Sequence, residues 1–298
     1  MTMTFRPRVN ARARPGALPM PANRKISAFA PASVYDRWGE DAAGIRAAAG
    51  GDNVITMFDD IGEDYWSGGG ITAKKVDAQL RAIGDRPVEV QINSPGGDMF
   101  EGIAIYNVLR EHPQDITIKV MGMAASAASL VAMAGDRIEI GVSSFLMIHN
   151  CWVMAMGNRH DMAEVSAWLA PFDQSMIDLY ALRTDASAEE IGAMMDAETW
   201  LSGSTAIEKG FADALLPADQ MKRDESAQAA DRRVNELRAM ELTLVRAGYT
   251  RSEARARIHK IKGDGTPGAA VDLDNPTPGA GDSELAGALT GLLSTIRS

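Results

Sequence analysis

The stretch Val88-Glu-Val-Gln-Ile-Asn-Ser-Pro-Gly-Gly97 decides the fold class. Val88, Val90 and Ile92 alternate with Glu89 and Gln91, the two-residue period of a strand. Asn93-Ser-Pro-Gly-Gly97 then supplies residues that permit positive φ and a sharp turn. The period changes immediately afterwards: Ile103, Ile105, Tyr106 and Leu109 recur at helical spacing as far as about Glu111. Ile116-Thr-Ile-Lys-Val120 is the next strand. The same alternation runs upstream. Val54–Phe58 is a short strand closed by Asp59, Asp60 and Gly62, the glycines Gly68, Gly69 and Gly70 form a loop, and Thr72 caps a helix carrying Val76, Leu80 and Ile83. Downstream, the small-residue run Gly122–Ala134 reads as a turn into a helix, and Arg137–Ile140 and Phe145–Ile148 as strands. A helical stretch follows from about Asp161 to Leu182, which Pro171 should kink or divide. Shorter helices are expected near Ala188–Met195 and Ser204–Lys209. Strands alternating with helices predict an α/β domain over residues 51–217 built on a largely parallel sheet.

The flanks differ in character. Residues 1–50 lack sustained periodicity and carry Pro7, Pro15, Pro19, Pro21 and Pro31, so they read as a flexible basic extension. Arg6, Arg8, Arg12, Arg14, Arg24 and Lys25 precede the first acid, Asp36, leaving the remainder at −16 against a total of −10. An acidic body argues against nucleic acid as the main partner. Residues 218–298 read as a helical and partly disordered extension outside the catalytic core. It has a helix over 224–247, a second one from the capping box Thr250-Arg-Ser-Glu253 to about Gly263, a Gly/Pro/Asp linker to 282, and a stripe of Leu285, Leu289, Leu292, Leu293 and Ile296. That stripe suits either a partner or the chain's own core. No run of about 18 apolar residues points to a membrane helix, and no apolar segment near the N-terminus points to export. The single cysteine, Cys151, and the lack of a His/Cys cluster with zinc spacing predict no disulfide, no metal and a reducing, cytoplasmic setting.

Three segments carry chemistry. Gly122-Met-Ala-Ala-Ser126-Ala-Ala-Ser129 sets a serine at a strand-to-helix junction among residues small enough for a substrate backbone to approach. Close helix–sheet packing alone would also explain the small residues. His149 follows the apolar strand Phe145–Ile148, whereas His112, His160 and His259 lie in charged surroundings. A neutral imidazole is the base suited to activating a serine. Gly96 and Gly97 leave backbone N–H groups uncovered, as an oxyanion hole requires, though an ordinary turn needs no more than this.

Taken in order, these segments resemble the ClpP family of serine peptidases. The likeness runs through Ile92-Asn-Ser-Pro-Gly-Gly97, Gly102-Ile-Ala-Ile-Tyr106, Met121-Gly-Met-Ala-Ala-Ser126 and Met147-Ile-His149, then more weakly through Trp200-Leu-Ser202, Ala206 and Gly210-Phe-Ala-Asp213. The resemblance implies a ClpP/crotonase-like fold of repeated ββα units and a ring-forming homo-oligomer. It also implies Ser126 as nucleophile over its neighbour Ser129, His149 as base, and the Gly97 and Ala127 amides as oxyanion donors, with no cofactor. Counting back without gaps from Leu201-Ser202 puts the triad acid at Glu198, where the family usually has aspartate; Asp196 is the alternative. The segment Asp64-Tyr-Trp-Ser-Gly-Gly-Gly70, the run Asp196-Ala-Glu-Thr-Trp200 and the long tail resemble ClpP-related head maturation proteases of tailed bacteriophages. That likeness implies a capsid or scaffold protein as substrate, in host cytoplasm. Trp152, Val153, Met154 and Met156 suit either a ring contact or the subunit's own core. Other readings are a crotonase-type acyl-CoA enzyme, a Ser/Lys signal-peptide-peptidase-like enzyme, and a silent protease fold serving as an assembly scaffold.

Overall fold

The computed structural model describes residues 27–28, 31–38, 42–43, 45–47, 51–217 and 220–262. In chain order it opens with β1 (Ser27–Ala28), α1 (Ala32–Arg37) and β2 (Ile45–Ala47). The α/β alternation then begins: β3 (Val54–Met57), α2 (Ala73–Ile83), β4 (Val88–Ser94), α3 (Met99–Glu111), β5 (Ile116–Ala125), α4 (Ala127–Ala132), β6 (Arg137–Gly141) and β7 (Phe145–Ile148). After β8 (Val153–Met154) come α5 (Arg159–Thr184), α6 (Ala188–Asp196), β9 (Thr199–Ser202), α7 (Gly203–Glu208), β10 (Ala214–Leu216), β11 (Met221–Arg223), α8 (Glu225–Arg246) and α9 (Arg251–Lys262). Residues to Ala254 form one compact unit, and a second unit starts at Arg255.

Five strands lie parallel in the order β10-β6-β5-β4-β3. The ten-residue β5 serves two neighbours. Its first half pairs with β6 through Thr117↔Arg137 to Val120↔Ile140, and its second half pairs with β7 through Met123↔Phe145 to Ala125↔Met147. Antiparallel β9 closes the far side of β7. Nearly every residue of β4 and of the second half of β5 is buried, as expected of strands covered on both faces. The main core joins Ile55, Val90, Ile92, Val120, Ile138 and Ile140 of the sheet to Val76, Leu80, Ile105, Leu109 and Val131 of the helices. Thr72 caps α2 by accepting from the Lys75 amide, and the Thr250–Glu253 capping box forms as the sequence predicts.

Four expectations are corrected. Met121–Ala125 is strand rather than turn, because its side chains are buried between layers where packing overrides the low strand propensity of Gly and Ala. Pro171 does not divide the long helix. α5 runs unbroken through it, with Trp168 and Phe172 packed against Phe100 at ring separations of 6.0 and 5.3 Å; one lost amide hydrogen bond does not outweigh that anchoring.

The region before residue 50 is not loose throughout. Val34, Tyr35 and Trp38 are buried, and the Trp38 indole donates to Asn93 Oδ1, whose amide donates in turn to the Ala42 carbonyl. Finally, α8 is no appendage. Its Leu242 joins Val34, Trp38, Met123, Ala125 and Met147 in a second core beneath the β5–β7 pair, so α1 and α8 together close the sheet face opposite the main helices. The arginine-rich arm before residue 27, the 263–282 linker and the terminal leucine stripe lie outside the described residues.

Candidate active site

Parallel strands that end at one edge bring their following turns together, and α/β proteins bind ligands there. β4, β5 and β7 are such strands. Ser94 pairs with Ala124 and Ala125 with Met147, so the turns after β4, β5 and β7 emerge side by side carrying Gly97, Ser126 and His149. All three, with Ala127, line one small cleft that also contains Met99, Leu130, Cys151, Trp152 and Met176.

Ser126 sits on a strained elbow, with φ 55° and ψ −126°. Such backbone costs about 1–3 kcal/mol for a residue with a Cβ and persists only where its surroundings impose it. Here the Ser126 amide donates to Met147 O at 3.0 Å, while its carbonyl accepts from the Ser129 amide at 2.9 Å. The hydroxyl therefore points into the cleft, where His149 Nε2 lies 2.7 Å from Ser126 Oγ. Both residues are buried. Burial pushes the His149 pKa down to about 4, so the imidazole is neutral near pH 7, as a proton acceptor must be. Ser129, the rival hydroxyl, faces the other way: it donates to Ser126 O at 2.6 Å and lies 2.8 Å from the buried Tyr180 hydroxyl.

Gly96 and Gly97 take φ values of 96° and 141°. A Cβ on Gly96 would lie 2.6 Å from Ala125 O and 2.7 Å from Ser126 Cβ; one on Gly97 would lie 2.3 Å from Ile61 O. Only glycine permits this approach. Among the described residues, neither the Gly97 nor the Ala127 amide takes part in the surrounding turn and cap hydrogen bonds, which leaves two donors beside Ser126.

The expected acid, Glu198, is the member not brought into contact with the imidazole. The antiparallel register from Phe145↔Ser202 to Ile148↔Thr199, extended by one step, sets Glu198 opposite His149. Glu198 adopts φ 47° between α6 and β9, a left-handed turn that costs a non-glycine residue about 1 kcal/mol. Among the described residues no carboxylate hydrogen-bonds or ion-pairs with His149, and burial alone accounts for its lowered pKa. Asp196 is held elsewhere, accepting from Asn150 Nδ2 at 2.7 Å. Asn150 was not singled out in the sequence; its place directly after His149 was the available signal. Cys151 is flanked by the Met99 and Met176 sulfurs, and burial beside Asp173 holds its thiol protonated, which makes it a poor nucleophile. Trp152 and Met154 pack on the second core, whereas Met156 is exposed.

Residues 71–219 match the family model described as Clp protease. The chain belongs to the Clp protease family. Similar chains include the ATP-dependent Clp protease proteolytic subunit of Deinococcus radiodurans, 26% identical over 141 residues, covering 47% of this chain and 69% of the relative. Proteolytic subunit 2 of Nocardia farcinica is 29% identical over 150 residues, or 48% and 74% of the two chains. Proteolytic subunit 3 of Streptomyces avermitilis is 26% identical over 211 residues, or 68% and 93%. Clp-family membership supports peptidase function, and the strands matched by the family model include those that end at Gly97, Ser126 and His149. No helix among the described residues is long and apolar enough to cross a membrane.

Proposed function

We propose that this chain is a serine endopeptidase with Ser126 as nucleophile, His149 as general base, Glu198 as the acid that orients the imidazole, and the Gly97 and Ala127 amides as oxyanion donors. The observation that carries the reading is the 2.7 Å contact between His149 Nε2 and Ser126 Oγ at the floor of the cleft. In this scheme His149 takes the hydroxyl proton as Ser126 Oγ attacks a peptide carbonyl. The two amides hold the tetrahedral oxyanion, and His149 then protonates the leaving amine. Water, deprotonated by the same imidazole, releases the acyl group and restores Ser126.

The substrate we propose is a capsid or scaffold protein cut during bacteriophage head assembly, by a ring-like homo-oligomer of this chain in host cytoplasm. The support is the likeness of Asp64–Gly70 and Asp196–Trp200 to head maturation proteases, and a C-terminal extension of more than 70 residues beyond the matched family model. Labelling by a fluorophosphonate probe, compared between wild type and Ser126→Ala, tests the nucleophile; equal labelling of the two rejects it. Co-expression with capsid protein from a head-assembly gene cluster tests the substrate: trimming by wild type and not by Ser126→Ala is the expected result. A silent assembly scaffold is the second reading, favoured by the lack of a carboxylate contact to His149 among the described residues. It predicts no labelling of either protein.

A further inference from the structure

α8 reaches the candidate site through one buried charge. The Arg238 side chain is 5% exposed. Its guanidinium donates to Asp64 at 2.9 and 3.3 Å, to Asn235 Oδ1 at 2.8 Å and to Asp59, and it ion-pairs with Asp60 at 3.4 Å. Three carboxylates of the loop after β3 therefore converge on a cation supplied some 175 residues later, and Arg238 keeps its charge because they surround it. One helical turn further along α8, Glu241 accepts from the Trp66 indole at 2.6 Å. From the opposite side, the Tyr35 hydroxyl of α1 donates to Asp60 Oδ2 at 2.9 Å.

The loop gripped in this way is the one that holds the oxyanion turn. Ile61 lies between Asp60 and Gly62, and its amide donates to Gly96 O at 2.7 Å while its carbonyl accepts from the Asp98 amide at 2.8 Å. These two bonds straddle Gly97. The Ile61 carbonyl also occupies the space that a Gly97 side chain would need. The plane of the peptide carrying the Gly97 N–H is thus set by Ile61, and Ile61 by the loop that α8 grips.

We propose that α8 is an intramolecular brace for the oxyanion turn, with Arg238 as a positioning residue that fixes the direction of the Gly97 N–H through Asp59–Asp64 and Ile61. Its catalytic consequence rests on the reading of Gly97 as an oxyanion donor. Misdirecting one such donor costs about 10²-fold or more in turnover when the loss is complete, and a loosened brace costs part of that.

The test uses the full chain and a peptide-amide substrate, with active sites counted by fluorophosphonate titration. Arg238→Met is expected to lower kcat per titrated site at least tenfold with KM within twofold of wild type, and Arg238→Lys to recover part of the loss. A purely structural role would lower the number of titratable sites and leave kcat per site unchanged; that result overturns the proposal. Should Arg238→Met not fold, Trp66→Phe removes the Glu241 bond and keeps a smaller aromatic ring in place of the indole, and an unchanged kcat per site overturns the proposal equally. Hydrogen exchange separates this inference from the peptidase reading. The Ile61 and Asp98 amides should exchange faster in Arg238→Met whether or not the wild type cleaves anything, and unchanged protection of both means that there is no brace.

Discussion

The Ser126 hydroxyl and the His149 Nε2 lie 2.7 Å apart although 23 residues separate them, and strand pairing is the reason. β5 and β7 run parallel with Ala125 opposite Met147, so each chain leaves the sheet within a residue or two of the other. The Ser126 amide bond to Met147 O then turns the hydroxyl towards the imidazole. The elbow is a strained element held by a sheet, which makes the pair insensitive to loop motion and sensitive to anything that alters the β4–β5–β7 edge.

Gly97→Ala tests that edge. The new Cβ would meet the Ile61 carbonyl at 2.3 Å with φ at 141°, so backbone must move. We expect a stability loss of about 2–4 kcal/mol and loss of turnover in whatever remains folded. Gly68→Ala is the control. Its φ of 67° is also left-handed, but no atom lies within 4 Å of the added carbon, so it should cost about 1 kcal/mol and leave turnover intact. Thermal melts and peptide hydrolysis read both.

Ser129→Ala separates the two serines. Its hydroxyl ties Ser126 O to the buried Tyr180 hydroxyl, so removal leaves Tyr180 without that partner and should cost about 1–3 kcal/mol. Labelling of Ser126 by a fluorophosphonate should persist. Loss of labelling in a folded Ser129→Ala protein would transfer the nucleophile to Ser129.

The acid can be assigned by paired substitutions. Extending the β7–β9 register one step beyond Ile148↔Thr199 sets Glu198 opposite His149, and Asp196 accepts from Asn150. Glu198→Gln should therefore lower kcat by about 10⁴-fold, the scale seen when a triad acid becomes an amide, while Asp196→Asn should lower it less than about tenfold. The reverse ranking assigns the acid to Asp196.

Much of this was legible in the sequence, and the limits have physical causes. β4 and the first half of β5 announce themselves because Val88, Val90, Ile116 and Ile118 alternate in branched residues. Met121–Ala125 does not, since its strand conformation comes from burial between layers rather than from its own preference. In α1 and its C-cap, Val34, Tyr35 and Trp38 span barely one turn, too short for a period to emerge among prolines, and their burial depends on Met123, Met147 and Leu242, distant in sequence. Nothing in the sequence singles out Arg238 and Glu241, because a local window shows charge and not partners 174 or 175 residues away. At the site, Gly97 and His149 each follow a strand with a clear pattern, and Ser126 stands in a small-residue run that marks a junction. Glu198 immediately precedes a strand, β9, that the local pattern does not reveal, so only the family register points to it as the acid.

The pH profile reports whether a carboxylate engages His149. Burial lowers its folded pKa to about 4 from an ordinary 6.5. Between those values the unfolded chain binds a proton that the folded one does not, so stability is full above 6.5 and is lost as pH falls towards 4. For catalysis the same shift keeps the base neutral: burial alone would put the acid limb of kcat/KM well below 6.5 in the free enzyme, whereas the Glu198 pairing of the proposed triad raises it. A limb at or above 6.5 would mean that a carboxylate pairs with the imidazole in the working enzyme; Glu198→Gln would then move it down.

Stability of the Arg238 cluster should depend on pH in the opposite sense. Burial raises the Asp60 carboxyl to about 7 from an ordinary 3.8, against the opposing pull of Arg238 and with Asp64 and Asp59 adding to the rise. Asp60 Oδ1 has no hydrogen-bond partner among the described residues, so the ionised form is poorly solvated. The folded chain therefore holds a proton that the unfolded chain has released between pH 3.8 and 7, and this group's contribution falls as pH rises through that window and is level above it. Taking away the guanidinium leaves Asp59, Asp60 and Asp64 facing the Tyr35 hydroxyl and one another. Breaking a buried pair on one side costs about 3–5 kcal/mol, and here the cost should be largest where all three acids are ionised. Arg238→Met should accordingly destabilise the protein more at pH 8 than at pH 5 in urea melts, and Asp60→Asn should flatten the wild-type change between those values. An equal cost of Arg238→Met at both pH values would show that Asp60 does not titrate in this window.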